Sequence, residues 1–188
     1  MGMFRTKSLL LLPALLLASL AWAATQWVTQ PRQSELTFTA RQAGAPFKGS
    51  FKRFEADIRF DPTDLANSRF EVRIDLSSVD TRDRERDELI RGPELFAVEK
   101  WPTATYVADR FEARGGGKFA AIGKLTLRGV TREVPIEFTF QKDDNGAWLK
   151  GTGLVRRLDF GVGQGEWKDT STVADEVRVE YALLLTRS

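Results

Sequence analysis

The sequence predicts an all-β fold, either a sandwich or a closed barrel, and three observations lead to this prediction. Apolar side chains recur at every second position from Leu36 to Leu185, as expected of strands with one buried face. Tight-turn sequences such as Gly115-Gly116-Gly117 separate consecutive strands, which is typical of an antiparallel meander. Little of the chain has helical periodicity, so the apolar face of the sheet must be covered by a second sheet or by closure of the sheet on itself.

The alternation predicts a series of strands joined by short turns. Their bounds are Gln26–Thr29, Glu35–Gln42, Phe47–Phe60, Arg69–Leu76, Thr103–Ala113, Lys118–Leu127, Glu133–Gln141, Ala147–Arg156 and Glu176–Thr186. The strand Phe47–Phe60 is unusually long. At roughly 3.3 Å per residue it extends to about 46 Å, or about 35 Å along the axis of a barrel with strands tilted by about 40°. An interior of that depth suits an elongated guest.

Two segments lack the alternation. The charged segment from Thr81 to Arg91 predicts a short helix, which Asp80 or Thr81 caps and Gly92 ends. We expect it to dock on one barrel end through the apolar residues Leu89, Ile90 and Phe96. The second segment, from Arg157 to Ala174, is rich in Gly. It is either a loop that bends over an opening or a connection whose aromatic residues plug the barrel end.

The first 23 residues predict a signal peptide. A basic start at Arg5 and Lys7 precedes an apolar run from Leu9 to Leu20 and the small-x-small site Ala21-Trp22-Ala23. The alternative is a retained membrane anchor, but the run is shorter than the roughly 20 residues that span a bilayer. We therefore expect export with cleavage near Ala23, leaving residues 24–188 as one domain.

Composition excludes several classes of function. The chain contains no Cys and no His, which rules out zinc sites built on these residues, thiol nucleophiles and a Ser-His-Asp triad. Without Arg5 and Lys7 the 28 Lys and Arg become 26, equal to the 26 Asp and Glu. This neutral balance argues against a nucleic-acid partner.

The carboxylate pairs predict no catalytic dyad. The candidate pairs are Asp143-Asp144, Asp83 with Glu85, and Asp169 with Asp175; the first falls in a predicted hairpin turn and the second on the solvated face of the predicted helix. The sequence therefore predicts no enzyme activity, no metal and no cofactor other than a bound lipid.

Several motifs occur in order along residues 24–188 and resemble the YceI-like family. They are Gly49-Ser50-Phe51, Phe54, Ile58-Arg59-Phe60-Asp61-Pro62, 74–81, Asp87-Glu88-Leu89, 95–104, 123–131, 157–163 and Asp175-Glu176-Val177. The resemblance implies an eight-stranded antiparallel lipocalin-like barrel with one short helix and a Gly-rich mouth loop, located in the bacterial periplasm. It also implies a long amphiphilic ligand: a polyisoprenoid, an isoprenoid quinone or a fatty-acid-like lipid.

The chain departs from the family pattern at two places. It has Asp87-Glu88-Leu89 where members often have a His in the short helix, and Leu95-Phe96 where they often have two aromatic residues. If either position contacts the head of the ligand, the head-group preference of this chain differs from that of such members.

Candidate ligand-binding residues follow from the alternation. Those predicted to face inward are Phe38, Phe51, Phe54, Ile58, Ile74, Leu125, Leu127, Phe138 and Tyr181, with Phe96, Phe160 and Trp167 near the mouth. The alternative is that they are ordinary core and fill the barrel. Arg157 and Asp159 either meet the ligand head or form a structural ion pair at the barrel end.

The leading functional hypothesis is a periplasmic carrier of an isoprenoid or fatty-acid-like lipid. The alternative is a structural or stress-protective module that acts through its outer surface and has a filled barrel. A weaker hypothesis has the protein present quinone to a membrane b-type cytochrome, which would be a separate protein. The family resemblance also suggests a homodimer.

Overall fold

The computed structural model describes residues 25–187, so the predicted signal peptide lies outside the described residues. Within that range the strands are β1 Gln26–Thr29, β2 Glu35–Gln42, β3 Ala45–Phe51, β4 Phe54–Arg59, β5 Arg69–Asp75, β6 Val79–Asp80, β7 Thr103–Gly115, β8 Lys118–Leu127, β9 Val130–Lys142, β10 Ala147–Arg156 and β11 Glu176–Arg187; the helix is α1, Arg84–Arg91. None of the helices in this range is long and apolar enough to cross a membrane.

Eight strands form a closed antiparallel barrel. They are hydrogen-bonded in the order β1-β4-β5-β7-β8-β9-β10-β11, and β11 pairs again with β1. One edge of β11 serves two partners, because Arg178–Ala182 pairs with β2 whereas Leu185–Arg187 pairs with β1. Strands β2, β3 and β6 therefore extend the wall at one end of the barrel. The predicted eight-stranded barrel with one short helix is confirmed.

The prediction of a single strand over Phe47–Phe60 is wrong. The segment breaks at Lys52 and Arg53, because β3 pairs with β2 and β6 whereas β4 pairs with β1 and β5. At the break Ser78 replaces the missing ladder: its carbonyl accepts from Lys52 N at 3.2 Å and its hydroxyl from Arg53 N at 3.0 Å. The depth of the barrel therefore cannot be taken from this segment.

Helix α1 begins three residues later than predicted. Its N-cap is Asp83, whose carboxylate accepts from Arg86 N at 3.1 Å. Thr81 cannot cap it, because the backbone N and hydroxyl of Thr81 both donate to the buried carboxylate of Asp87, at 2.8 and 2.7 Å. Asp80 is likewise engaged, because it accepts from the backbone N of Arg82. Each of these bonds stabilises the turn that leads into the helix.

The end and the docking of α1 follow the prediction in part. Gly92 ends the helix, and its N donates to Leu89 O. Ile90 is buried and Phe96 packs against Phe51 with ring centroids 6.1 Å apart. Leu89, by contrast, is 52% exposed, so it does not anchor the helix in the core.

One end of the barrel is filled by seven aromatic side chains, which we call the aromatic plug. Phe60 lies at its centre, fully buried, with five Phe rings at centroid distances of 5.0 to 5.9 Å. The indole of Trp27 donates to Phe60 O at 3.0 Å and thereby ties β1 to the end of β4. The plug consists of Trp27, Phe60, Phe70, Phe111, Phe119, Phe138 and Phe140.

Truncation of the central ring tests the importance of the plug. We expect Phe60→Ala to lower the free energy of unfolding by about 3–5 kcal/mol, because it removes a fully buried ring and leaves a void among five others. Equilibrium urea denaturation measures this. The matched control is Phe47→Ala at the opposite end, where the ring is half-buried and we expect a clearly smaller loss. Equal losses would contradict the plug as the main core.

Candidate functional site

Between the aromatic plug and helix α1 the barrel encloses a cavity of about 440 Å³. This volume lies within the range of about 300–1,000 Å³ typical of small-molecule pockets. The floor of the cavity is formed by Ile58, Phe70, Leu149 and Leu183, where it meets the plug. The cavity is therefore closed at one end and lined by inward-facing side chains of the strands.

The mouth of the cavity lies beside α1. Its rim combines residues of α1 and its N-cap with residues of the β2–β3 hairpin and of the Gly-rich segment: Gln42, Phe47, Asp83, Glu85, Arg86, Leu89 and Trp167. We call these seven residues the lip. Polar side chains are thus concentrated at the lip, whereas the wall below it is almost entirely apolar.

Eleven of the fourteen residues predicted to bind ligand lie on the cavity wall. They are Phe38, Phe51, Phe54, Ile58, Ile74, Phe96, Leu125, Leu127, Arg157, Trp167 and Tyr181. The structure thus brings most of the predicted set together around one space. Contact of these side chains with a ligand stays a prediction.

The other three predicted residues lie elsewhere. Phe138 belongs to the plug, where its ring stacks on Phe119 at 5.6 Å, because it stands nearer the filled end of β9 than the wall residues do. Phe160 is buried in the turn Arg157–Phe160 but is not on the cavity wall. Asp159 is exposed. Phe138 points inward as predicted, but it lies in the plug and not on the cavity wall.

Arg157 is held by backbone carbonyls and not by Asp159. Its guanidinium donates to Val162 O at 2.9 Å, to Val173 O at 2.5 Å and to Ala174 O at 3.0 Å. Burial lowers its pKa, while the charge of Asp175 acts in the opposite direction. The Arg157–Asp159 ion pair, one of the two alternatives stated above, does not form within residues 25–187. Arg157 therefore stabilises the Gly-rich segment from inside.

This clamp explains one glycine of the segment. Gly163 has φ +119°, and a Cβ there would lie 2.0 Å from Nη1 of Arg157. Any larger residue would displace the guanidinium. The segment is also tied to its neighbours, since Gly163 N and Gln164 N donate to Glu94 O at 2.9 and 2.8 Å. It forms one side of the mouth, with Trp167 on the lip.

Two tyrosines present their rings to the cavity and direct their hydroxyl groups into the wall. The Tyr106 hydroxyl lies 3.0 Å from Val134 O, and the Tyr181 hydroxyl donates to Glu137 O at 3.2 Å. Burial raises the pKa of both phenols well above the ordinary value. Both therefore stay neutral at physiological pH, and each hydroxyl hydrogen is directed to a backbone carbonyl of the wall, Val134 O or Ala121 O for Tyr106 and Glu137 O for Tyr181.

The sequence prediction missed further wall residues and all of the charged lip residues. The missed wall residues include Leu36, Ala40, Val72, Tyr106, Val134, Ile136, Val155, Val177 and Val179. They share the period-two pattern, so the same signal could have found them. Asp83, Glu85 and Arg86 carry no such signal, because their position at the mouth depends on how α1 docks.

Structural partners engage three of the carboxylates considered for catalysis, Asp143, Asp169 and Asp175. Asp143 accepts from two backbone N–H groups of its turn at 2.8 Å. Asp169 accepts from the backbone N and hydroxyl of Ser171, and Asp175 pairs with Arg156 at 3.1 Å. Each of these contacts stabilises a turn or a strand end.

Comparisons with solved structures agree with this architecture. BcnA of Burkholderia cenocepacia is 33% identical and superimposes with a TM-score of 0.80 over 83% of this chain and 98% of that chain. A polyisoprenoid binding domain from Saccharophagus degradans, implicated in plant cell wall breakdown, superimposes with a TM-score of 0.69 over 86% and 98%. It is 16% identical, so this similarity concerns the fold alone.

Sequence comparison gives the same result. A UPF0312 protein of Vibrio parahaemolyticus is 33% identical over 141 residues, which cover 71% of this chain and 75% of that protein. Residues 27–185 match the YceI-like domain, and this range includes every strand of the barrel except the first residue of β1 and the last two of β11. The chain therefore belongs to the YceI-like family.

Proposed function

We propose that this protein binds and carries a long amphiphilic lipid, either an isoprenoid or a fatty-acid-like molecule, in the periplasm. The observation that carries the proposal is the apolar cavity, which the plug closes at one end and the polar lip borders at the other. An apolar tail would enter beside α1 and extend toward Phe70 and Leu149. The polar head would stay at the lip, because burying it without partners costs free energy.

Burial of the tail supplies the affinity in this proposal. Each buried CH₂ contributes about 0.8 kcal/mol, so a wholly buried tail of some 20 carbons offers roughly 16 kcal/mol before losses. Immobilising the ligand and ordering its tail remove a large part of this gain. We expect dissociation constants between about 1 μM and 1 nM.

The isoprenoid class and the location rest on further support. The Saccharophagus domain with the same fold is a polyisoprenoid binding domain, which favours isoprenoids among long amphiphiles. The signal-peptide pattern of residues 1–23 supports export. By family resemblance, we also propose that the protein forms homodimers. On the same ground, we propose that it presents quinone to a b-type cytochrome, which would be a separate protein. The proposal requires no nucleic acid and no cofactor besides the lipid.

The alternative hypothesis, a structural or stress-protective module with a filled barrel, has less support. The plug fills one end of the barrel as that hypothesis requires, but the remainder holds a cavity of about 440 Å³. A protein that acts only through its outer surface has no need for this opening, which leaves apolar wall without packing partners.

Extraction of the purified protein tests the carrier function directly. We expect organic extraction of protein purified from its native host, followed by mass spectrometry, to recover an isoprenoid or fatty-acid-like lipid in near-stoichiometric amount. An unrelated periplasmic protein taken through the same steps controls for carry-over. Repeated recovery of protein without lipid, together with no binding of added lipid, would refute the carrier function.

Filling the cavity provides a second test. Val72 lies on the wall and is half-buried, so Val72→Trp places an indole in the space that the tail would occupy. We expect lipid affinity to fall at least about tenfold, with overpacking lowering the free energy of unfolding by about 1–3 kcal/mol. Isothermal titration calorimetry with a C20 isoprenoid alcohol measures the affinity.

The matched control for this variant is Val28→Trp. Val28 is 46% exposed on the outside of β1 and is not part of the cavity wall. It receives the same substitution, and we expect its lipid affinity to equal that of the original protein. Equal affinities of all three proteins would show that the lipid binds outside the cavity.

A further inference from the structure

The ionisable side chains that line the cavity include two cations, and both are already engaged. Arg86 lies 3.3 Å from the Asp83 carboxylate, measured from Nη2 to Oδ2, and its guanidinium stacks over the Phe47 ring at 4.5 Å. Arg157 donates to the three backbone carbonyls described above. A ligand anion would therefore compete with Asp83 for Arg86 and with three backbone carbonyls for Arg157.

The N-terminus of α1 is engaged as well. Backbone N–H groups at a helix start attract anions, but Asp83 already occupies this position and accepts from Arg86 N at 3.1 Å. Asp83 thus contacts both features of the lip that could attract an anionic head group, the Arg86 guanidinium and the N-terminus of α1. The charge of Asp83 offsets theirs.

Among the charged residues of the lip, the one that remains after the Arg86–Asp83 pair is negative. Glu85 lines the cavity and forms no ion pair within residues 25–187. Glu88 and Glu94, with Glu85, also line an exposed groove that adjoins the lip between α1 and Trp167. Glu88 is paired with Arg84 at 3.1 Å, whereas Lys168, next to Trp167, is exposed and not on the cavity wall.

Building on the carrier function proposed above, we propose that the lip selects lipids with an uncharged head group and disfavours phosphate, pyrophosphate and carboxylate heads. An anionic head at the lip would face Glu85 and would compete with Asp83 for Arg86. Moving deeper would place its charge against Phe70 and Leu149, which costs more. An uncharged alcohol or quinone carbonyl avoids both costs and can hydrogen-bond to Gln42 at the rim.

Ligands with the same tail and different heads test this inference. The probes are geranylgeraniol, with an uncharged hydroxyl head, and geranylgeranyl pyrophosphate, titrated into the full mature protein at low ionic strength by isothermal calorimetry. We expect the alcohol to bind at least about tenfold more tightly than the pyrophosphate. Added salt should narrow the difference, because it screens repulsion between exposed charges.

Charge removal at the lip assigns this selectivity to named residues. In Asp83→Asn/Glu85→Gln the asparagine still caps α1, while Arg86 loses its partner and Glu85 its charge. We expect the ratio of alcohol to pyrophosphate affinity to fall about tenfold. Glu85→Gln alone, at an exposed helix position, should lower the affinity ratio less. This single variant replaces the double variant as the test if the double variant does not fold.

The control and the contrary outcomes separate this inference from the carrier function. Glu55→Gln on the outside of β4 removes one exposed carboxylate away from the cavity and should leave the ratio unchanged. Pyrophosphate binding as tight as alcohol binding, or a ratio that the lip variants do not change, overturns the head-group selectivity and leaves the carrier function standing. Binding of neither probe refutes the carrier function, and the selectivity with it.

Discussion

The closed sheet sets the constraint on which the rest of the structure depends. Eight paired strands fix the circumference of the barrel, so the size of the inward side chains alone decides whether the interior is filled. On β5 the inward residue changes from Phe70 to Val72, and on β9 from Phe138 to Ile136. The large member of each pair belongs to the plug and the small one lines the cavity. On these two strands a gradient of side-chain size thus separates the plug from the void.

This gradient also provides stability without disulfides. The plug concentrates buried rings in edge-to-face and tilted contacts at one end, and such aromatic pairs add about 0.5–1.5 kcal/mol each beyond area burial. A chain that lacks Cys can therefore keep part of its interior unfilled. The packed end stabilises the barrel, and the other end is free to hold a guest.

The sequence predicted the faces of the strands better than their depth. The predicted bounds of β1, β2, β8 and β10 match the structure, because period two and turn residues are local signals. Phe138 points inward as predicted but belongs to the plug, since alternation carries no information about position along the barrel axis.

The irregular segments could not be predicted in the same way. The break at Arg53 arises because β3 and β4 have different partners, which is a property of the whole sheet. The start of α1 depends on a bond between Thr81 and Asp87 that competes with capping. The charged lip exists only once α1 has docked, so Asp83 and Glu85 resemble an ordinary solvated helix face in the sequence.

The cavity wall and the lip contact different parts of the proposed ligand, the tail and the head. The hydroxyl groups of Tyr106 and Tyr181 bond to β9, so the middle of the cavity offers a guest apolar surface and few directional contacts. Burial of a tail against such a wall is non-directional and roughly proportional to area, and one methylene more or less changes binding by only about 0.8 kcal/mol. A protein of this kind tolerates variation in its ligand's tail. Discrimination must then come from the lip, where Arg86 pairs with Asp83 and Glu85 has no ion-pair partner among the described residues.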